Sequence, residues 1–362
     1  MSQDNRPNAN DGAQNNDSSA DQTAAAQAKR QLHTLAELIN AREPLDAFVQ
    51  LVAIRKGQTQ NGRDFYKATF RDKRLLANAY LWKNTLYFNE CEQNLWTPGE
   101  FYKIRAKAVA SKYGAKLELS KIRPVARDDK IDGFEPEDCR PSSKTEPETL
   151  LSEILNFANA NIPKGPLLLL VQRVYKEYRP ALCDCVATRY HHHAYVGGLM
   201  EHTLSVAKLA MNIAEHFCVA NPKIKGVFSK PLLCAGALLH DVGVVLAIKN
   251  SDVYPEHTIA GELIGQAILG VEIIQRFAIE TNLDVKTRVQ LEHLILANMR
   301  FRDWGAPIPP TTLEGMVLHY AEYADATFSN ALKTLDEEPA NEYFTVRNGP
   351  FGTPLFRPDA KL

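Results

Sequence analysis

The sequence lacks a long apolar run and a leader-like start. Its longest aliphatic run, Leu167–Val171, is far shorter than the ~20 residues that span a bilayer. No basic segment followed by an apolar stretch opens the chain. We therefore expect a soluble, unprocessed protein that has no membrane partner.

Charge of one sign and closely spaced cysteines are also missing. The 42 basic and 43 acidic residues nearly cancel, so any charged binding surface must be local. Six cysteines in 362 residues do not form a disulfide framework, and Cys183 and Cys185 lack the spacing of a zinc or redox pair. This pattern indicates reduced thiols and a cytoplasmic location.

Composition divides the chain into five parts. Residues 1–42 begin with a polar, Asn- and Gln-rich stretch that cannot bury enough surface to fold, so they are predicted to be a disordered tail and lead-in. Residues 43–126 are predicted to be a small β-domain, 127–147 an acidic linker, 148–335 a helical domain and 336–362 an irregular extension. With 45% apolar residues, the chain can build two packed cores.

Short alternating segments separated by turn residues fill the β-domain and favour a small closed β-barrel. The predicted strand-like runs are Phe48–Val52, Phe65–Phe70, Leu75–Trp82, Thr85–Phe88, Tyr102–Val109 and Lys116–Ile122.

Charge is concentrated in this β-domain. Residues 44–126 hold 15 Lys and Arg against 7 Asp and Glu, a local charge of +8. Cations that follow phosphates and aromatic faces that stack on bases are the means by which proteins hold single strands. The alternative is that the aromatic residues are barrel core. The candidate nucleic-acid-binding residues are Arg63, Phe65, Tyr66, Lys67, Arg71, Lys73, Arg74, Tyr80, Trp82 and Lys116.

Apolar residues three and four apart predict an all-α domain after the linker. The predicted helices are Thr149–Ala160, Leu167–Tyr178, Val196–Phe217, Pro231–Leu239, Ala260–Glu280, Lys286–Met299 and Thr312–Leu335.

Polar residues interrupt the apolar pattern of this domain at two places. His240 and Asp241 follow the apolar run Leu232–Leu239, and His202 lies on the inward stripe of its helix. Imidazole nitrogen and carboxylate oxygen are ligands for divalent ions. The alternative for each His is a hydrogen-bonded core residue.

Two acids, Glu322 and Asp325, share one face of the last predicted helix. They could instead lie on an exposed face or pair with Arg. Together with His202, His240 and Asp241 they form a pattern that could hold one divalent metal ion and activate water against a phosphodiester.

Four motifs follow one another along the chain: His191–Thr203, Ala235–Gly243, Trp304–Pro310 and Leu318–Ala326. In this order they resemble the YhaM-type exoribonucleases, in which an OB-fold precedes an HD-superfamily phosphohydrolase domain. The resemblance implies a metal-dependent 3′→5′ exonuclease acting on single-stranded RNA, possibly also DNA. It implies that His202, His240, Asp241 and Glu322 are metal ligands and that His240 and Asp241 are catalytic, with Asp325, His293 and Gln266 as additional candidates. It also makes a homo-oligomer plausible.

The chain departs from the family at four places near the expected metal centre. Val244 replaces a Lys, Gln266 a His, Asn298–Met299 a His pair and Glu322 an Asp. Because a neutral amide and a thioether are poor ligands for Mg²⁺ or Mn²⁺, we expect one such ion rather than two, and reduced or altered activity.

Two further functions stay open. The chain could be a catalytically inactive HD protein that binds single strands through its barrel. It could also hydrolyse a nucleotide, since HD folds host many phosphohydrolases.

Overall fold

The computed structural model describes residues 33–59, 61–73, 75–111, 114–251, 255–299, 301–337 and 343–358. Most of the predicted tail and the candidate residue Arg74 lie outside these ranges. The described part is mixed α and β, as predicted, with a five-stranded sheet followed by helices.

The sheet comprises five strands, each paired with two others in the order β1-β2-β3-β5-β4, which closes on itself because β1 also pairs with β4. Every pairing is antiparallel except β3 with β5, which run parallel. The strands are β1 Leu45–Gln58, β2 Asp64–Arg71, β3 Leu76–Trp82, β4 Phe101–Ser111 and β5 Gly114–Pro124.

Alternation along β2 and β3 decides which side chains enter the barrel. Ala68 and Phe70 of β2 and Ala79 and Leu81 of β3 are buried, whereas the residues between them face outward. A period of two therefore separates an apolar core from the outer face that carries Tyr80 and the other outward candidates.

Two short helices complete the barrel and correct the sequence expectation. Helix α1, Leu35–Asn40, lies inside the predicted tail and lead-in and buries Leu35 and Leu38 completely. The run Thr85–Phe88 was predicted to be strand-like, but α2, Leu86–Glu92, is a helix because the Thr85 side chain accepts a hydrogen bond from the Phe88 N–H as its N-cap.

The segment predicted to be an acidic linker folds against both domains. Its 3₁₀ turn at Arg127–Lys130 places the Asp129 carboxylate against Arg123, and Phe134 packs on Phe48 of the barrel. Further along, the Val196 N–H donates to Pro141 O across 3.0 Å. Asp129 and Asp132 of this segment pair with the barrel cations Arg123 and Lys103.

Helices from residue 147 onward surround one apolar core, as the periodicity predicts. They are α3 Pro147–Asn161, α4 Pro166–Glu177, α5 Arg179–Asp184, α6 Gly198–Ala220, α7 Lys230–Leu239, α8 Val244–Ala247, α9 Ile259–Leu263, α10 Gln266–Glu280, α11 Val285–Ala297 and α12 Leu313–Glu337. A small pair of strands, β6 Ile248–Lys249 and β7 Glu256–His257, precedes α9.

The single helix predicted over Ala260–Glu280 is two helices. Gly265 adopts φ +85°, a left-handed conformation that ends α9 and lets α10 start in a new direction. This break places Gln266 at the first position of α10.

The extension beyond α12 is more regular than predicted. Strands β8, Phe344–Asn348, and β9, Pro354–Phe356, form a hairpin. Arg357 fastens the hairpin to the helical domain by donating from Nη2 to Leu335 O of α12, 2.6 Å away.

One segment, Lys230–Ala247, has the length and apolar composition of a membrane-crossing helix. It comprises α7, the turn at His240–Asp241 and α8, and because 78% of it is buried within the protein it fits the core of the helical domain equally well.

Candidate metal centre and adjoining surfaces

Four predicted ligands meet at the centre of the helical domain. His202 comes from the first turns of α6, His240 and Asp241 follow the end of α7, and Glu322 lies midway along α12. All four side chains are buried, and one ligand atom of each lies within 4.8 Å of the others.

The two imidazoles and Glu322 make the closest set. Glu322 Oε2 lies 2.8 Å from His202 Nε2 and 3.1 Å from His240 Nε2, and the two Nε2 atoms are 3.2 Å apart. Asp241 Oδ2 lies 3.8 Å from His202 Nε2 and 3.6 Å from His240 Nε2. Two imidazole nitrogens and one carboxylate oxygen therefore converge on one point, and the Asp241 carboxylate lies beside them.

Partners on the far side of each ring fix this arrangement. His202 Nδ1 donates to Asp325 Oδ2 across 2.7 Å, and His240 Nδ1 donates to Ala237 O across 2.8 Å. With Nδ1 protonated in both rings, both Nε2 lone pairs point to the centre.

Asp325 lies behind His202. Besides His202, it accepts from His193 Nε2 at 3.0 Å and from the Ser205 hydroxyl. The other nitrogen of His193 contacts the Tyr195 hydroxyl at 2.8 Å. His193, His202 and Asp325 could themselves hold an ion, but the contacts of Asp325 place it as an orienting partner of His202.

The sequence argument missed His193 as a site residue. The only sequence signal for it was the run of three consecutive His residues. In the structure His193 has φ +47°, an uncommon conformation for a residue other than Gly. That turn in the chain before α6 directs the imidazole back toward α12.

The turn that carries His240 and Asp241 is packed tightly on α10. A Cβ on Gly243 would lie 2.0 Å from Gln266 O and 2.5 Å from Gly270 N. Because only Gly permits this approach, Gly243 sets the position of the preceding His240 and Asp241 against α10.

Charge in the centre favours a cation. Burial opposes ionisation of Glu322, yet the adjacent His202 holds the pKa of this carboxyl well below its usual value. Burial likewise opposes the charged form of His202, and Glu322 and Asp325 raise the pKa of His202 well above its usual value. The buried carboxylates thus favour a positive charge at the centre, which a metal ion bound to the two neutral imidazoles would supply.

The residues present fit a divalent metal ion. Ligand atoms that share one ion at about 2.1 Å lie about 3 Å apart, which matches the spacing of the two Nε2 atoms and Glu322 Oε2. No donor among the described residues meets the buried Glu322 Oε2 with hydrogen-bond geometry. An imidazole and carboxylate set suits Mn²⁺ or Zn²⁺.

Comparison with known proteins agrees with this geometry. The HD domain model matches residues 199–327, which include His202, the His240–Asp241 pair and Glu322. A second model, whose description names a helicase, matches residues 143–247. The sequence has no Gly-Lys dipeptide and so no phosphate-binding loop of the helicase type.

Relatives extend the match to most of the chain. A protein of Listeria monocytogenes serotype 4b (strain CLIP80459) named 3'-5' exoribonuclease YhaM is 27% identical over 322 residues, which is 87% of this chain and 96% of the relative. The protein of that name from Bacillus subtilis (strain 168) is 26% identical over 319 residues, with the same two coverages. The chain is thus similar to YhaM-type proteins over most of its length.

Several positions that depart from the resembled motifs lie at the edge of the centre. Gln266 donates from Nε2 to Asp241 Oδ1 across 3.1 Å, and the buried Asn298 donates from Nδ2 to His240 O across 3.4 Å. Val244 is fully buried. The Gln266 and Asn298 side chains thus hold the His-Asp turn in place.

His293, a further predicted candidate, lies away from the centre. Its Nε2 accepts a hydrogen bond from Thr311 N at 3.1 Å, which fastens the loop before α12. Its role in the structure is to hold this loop.

On the barrel, one outer face gathers several of the predicted nucleic-acid-binding residues. Phe65 lies opposite Trp82 and Lys67 opposite Tyr80 in the β2–β3 register. The Phe65 ring is 5.5 Å from that of Trp82, over which the Arg63 guanidinium lies at 4.7 Å. Lys116 joins this face from β5 opposite Asn78.

Three other predicted residues are placed differently. Tyr66 packs on Phe88 and donates to Glu92, so it belongs to the barrel interior and its α2 cover. Arg71 is buried and donates from Nε to Gln50 Oε1 at 2.8 Å. Lys73 is exposed at the opposite end of β2, where its N–H donates to Asp138 O.

A cavity of about 660 Å³ adjoins the metal centre. Glu322, Asn298 and Met299 form its inner end, and the outer walls come from the His191–His192 loop, from α12 and from the C-terminal hairpin. A ligand in this cavity would lie directly beside the candidate ion.

Proposed function

We propose that this protein is a metal-dependent 3′→5′ exonuclease acting on single-stranded RNA. The convergence of His202, His240, Asp241 and Glu322 on one point carries the proposal. The match to relatives named 3'-5' exoribonuclease supports the reaction, and the cavity at Glu322 supplies room for a strand end.

The N-terminal barrel is proposed to be an OB-fold that binds the strand upstream of its 3′ end. The strand order, the parallel β3–β5 pairing and the helix α2 between β3 and β4 support this assignment. Phe65, Tyr80 and Trp82 would stack on bases, while Arg63, Lys67 and Lys116 follow phosphates.

His202, His240, Asp241 and Glu322 would hold one divalent ion, with Mn²⁺ the best match to two nitrogens and two carboxylates. The bound ion would polarise the phosphodiester and lower the pKa of a water molecule. Asp325 keeps Nδ1 of His202 protonated and so directs its Nε2 to the centre.

Gln266, Asn298 and Val244 support the expectation of one ion and of reduced or altered activity. Gln266 and Asn298 point their amide donors at Asp241 and at the backbone of His240, so they add no nitrogen ligand. Val244 adds no positive charge to stabilise a developing oxyanion.

The test is degradation of single-stranded RNA carrying a label at its 5′ or its 3′ end, with Mn²⁺, Mg²⁺ or EDTA. The expected result is metal-dependent release of nucleotides from the 3′ end and its loss in Asp241→Asn. Degradation that EDTA does not affect, or that the variant retains, would contradict the proposal.

The outer barrel face favours one alternative, a protein that binds single strands with an inactive HD domain. Under this alternative, RNA binds tightly and salt-sensitively, and no ion produces cleavage. The same assay therefore separates the two functions.

A further inference from the structure

The cavity beside Glu322 has aromatic walls drawn from distant parts of the chain. Tyr190 enters from the loop before α6, and Tyr323 from α12. The turn at Gly349 and Pro350, which joins β8 to β9, forms another wall. The hairpin lies outside residues 199–327, so the cavity is not made by the HD domain alone.

Both tyrosine rings are supported on one side and half exposed. The Arg189 guanidinium lies 4.9 Å from the centroid of the Tyr190 ring and donates from Nη2 to its hydroxyl. Tyr323 stacks on His319, with centroids 6.2 Å apart and planes 24° apart. Exposed fractions of 53% for Tyr190 and 38% for Tyr323 leave ring surface for a ligand.

Polar groups line the same space. His192 Nε2 is buried without a hydrogen-bond partner among the described residues, and the Asn330 amide lies one turn from the cationic Lys333 on α12. Lys333 Nζ donates to Tyr190 O at 2.9 Å, which joins the loop of Tyr190 to α12. Flat aromatic surfaces, an unsatisfied imidazole and a cation together match a nucleotide.

We propose that this cavity binds the terminal nucleotide of a single strand, with its base stacked on Tyr190 or Tyr323 and the Gly349–Pro350 turn blocking further entry. The inference rests on the proposed function, since it places the last phosphodiester beside Glu322. A blocked end explains why the strand would be shortened from its terminus and not cut internally.

Binding without cleavage tests the subsite. The full chain in EDTA is titrated with a short oligoadenylate that carries 2-aminopurine at its 3′ end, or, in a second probe, at an internal position. Stacking quenches this fluorophore, so we expect quenching of the terminal probe that is reduced in Tyr190→Ala and Tyr323→Ala. Tyr190→Phe and Tyr323→Phe keep the ring and should retain the quenching.

The matched control is Tyr320→Ala, which removes an exposed tyrosine from the same helix that does not line the cavity. Wild-type quenching in this variant, with affinity for the terminal probe about tenfold weaker or more in the Tyr323→Ala variant, supports the inference. Equal quenching in all variants overturns it.

Kinetics distinguish this failure from failure of the proposed function. If RNA is degraded and both alanine variants keep the wild-type KM, the subsite is wrong and the nuclease stands. If no ion supports degradation, the nuclease is wrong, and terminal quenching still decides the subsite. Absence of both degradation and terminal quenching rejects both.

Discussion

Asp325 acts on the candidate ion through the opposite side of the His202 imidazole. Its oxygens accept from His202, His193 and Ser205, so one carboxylate sets the orientation of the ligand and of the loop before α6. Such outer partners raise the basicity of a metal-bound imidazole and fix its rotation.

Replacing Asp325 with Asn should weaken Mn²⁺ binding about 10- to 100-fold while leaving all four candidate ligands in place. Calorimetric titration of the EDTA-stripped full chain measures this affinity. Asp336→Asn, an exposed substitution on the same helix, should bind Mn²⁺ like the wild type. Equal affinity in the two variants would argue against the orienting role.

Gly243→Ala should destabilise the HD domain strongly, because its Cβ would lie 2.0 Å from the backbone oxygen of Gln266. We expect a loss of about 3 kcal/mol or more, seen as a lower midpoint of thermal unfolding. Gly226→Ala is the control, since nothing lies within 4 Å of the added methyl group. A midpoint unchanged in Gly243→Ala would mean that the α7 turn and α10 can separate at little cost.

At the level of helices and strands, period and spacing predicted most of what forms. The helix α7 and the strands β2 and β3 begin and end close to where the apolar patterns place them. The run Thr85–Phe88 failed because a short aromatic stretch does not distinguish a strand from a helix, and its Thr N-cap decided the outcome. The hairpin β8–β9 failed because strands this short leave little alternation in the sequence.

The candidate site was likewise predictable from the sequence only in part. For residues on helices, such as His202 and Glu322, spacing alone predicts which face of the helix each one occupies. The structure brings these two side chains together. His193 and Tyr190 could not, because their positions depend on loop conformation and on how that loop packs against α12.

The stability of the junction between barrel and linker should depend on pH through Asp129. Hydrogen bonds from Arg123 hold the pKa of Asp129 well below its usual value, despite opposing desolvation. Because the folded pKa is depressed, its stabilisation is present above the unfolded pKa of about 4 and is lost as the pH falls through the folded value.

Asp129→Asn should therefore lower stability by about 2–3 kcal/mol at neutral pH, with a smaller difference from wild type below about pH 4. Denaturant unfolding monitored by barrel tryptophan fluorescence measures this. Asp128→Asn, an exposed neighbour, is the control. A difference that does not depend on pH would show that the Asp129 charge is not responsible.

Over the whole molecule, a net charge of −1 conceals a barrel segment of +8. Binding of a polyanion should therefore depend on orientation, with the β2–β3 face toward the strand and the acidic remainder away from it.

Affinity for a labelled oligoadenylate in EDTA should fall with salt, and Lys67→Gln should reduce the slope of log affinity against log salt by about 0.7. Trp82→Ala should weaken binding by about 1–3 kcal/mol without changing that slope. Fluorescence anisotropy measures both. Lys208→Gln, which removes the same charge from the helical domain, should leave affinity and slope unchanged, and an equal effect there would move the binding surface off the barrel.

The residues between the two domains also determine where the chain can be divided. Asp129, Phe134 and Cys139 are buried on the barrel side of this segment, whereas Pro141 and Ser143 exchange backbone hydrogen bonds with Val196 next to α6. A cut near residue 127, the domain boundary predicted from composition, would separate Asp129 from Arg123 and expose Phe48. Division at Arg140 keeps each half with its own partners, and a spacer inserted there would change the reach between barrel and helical domain without disturbing either.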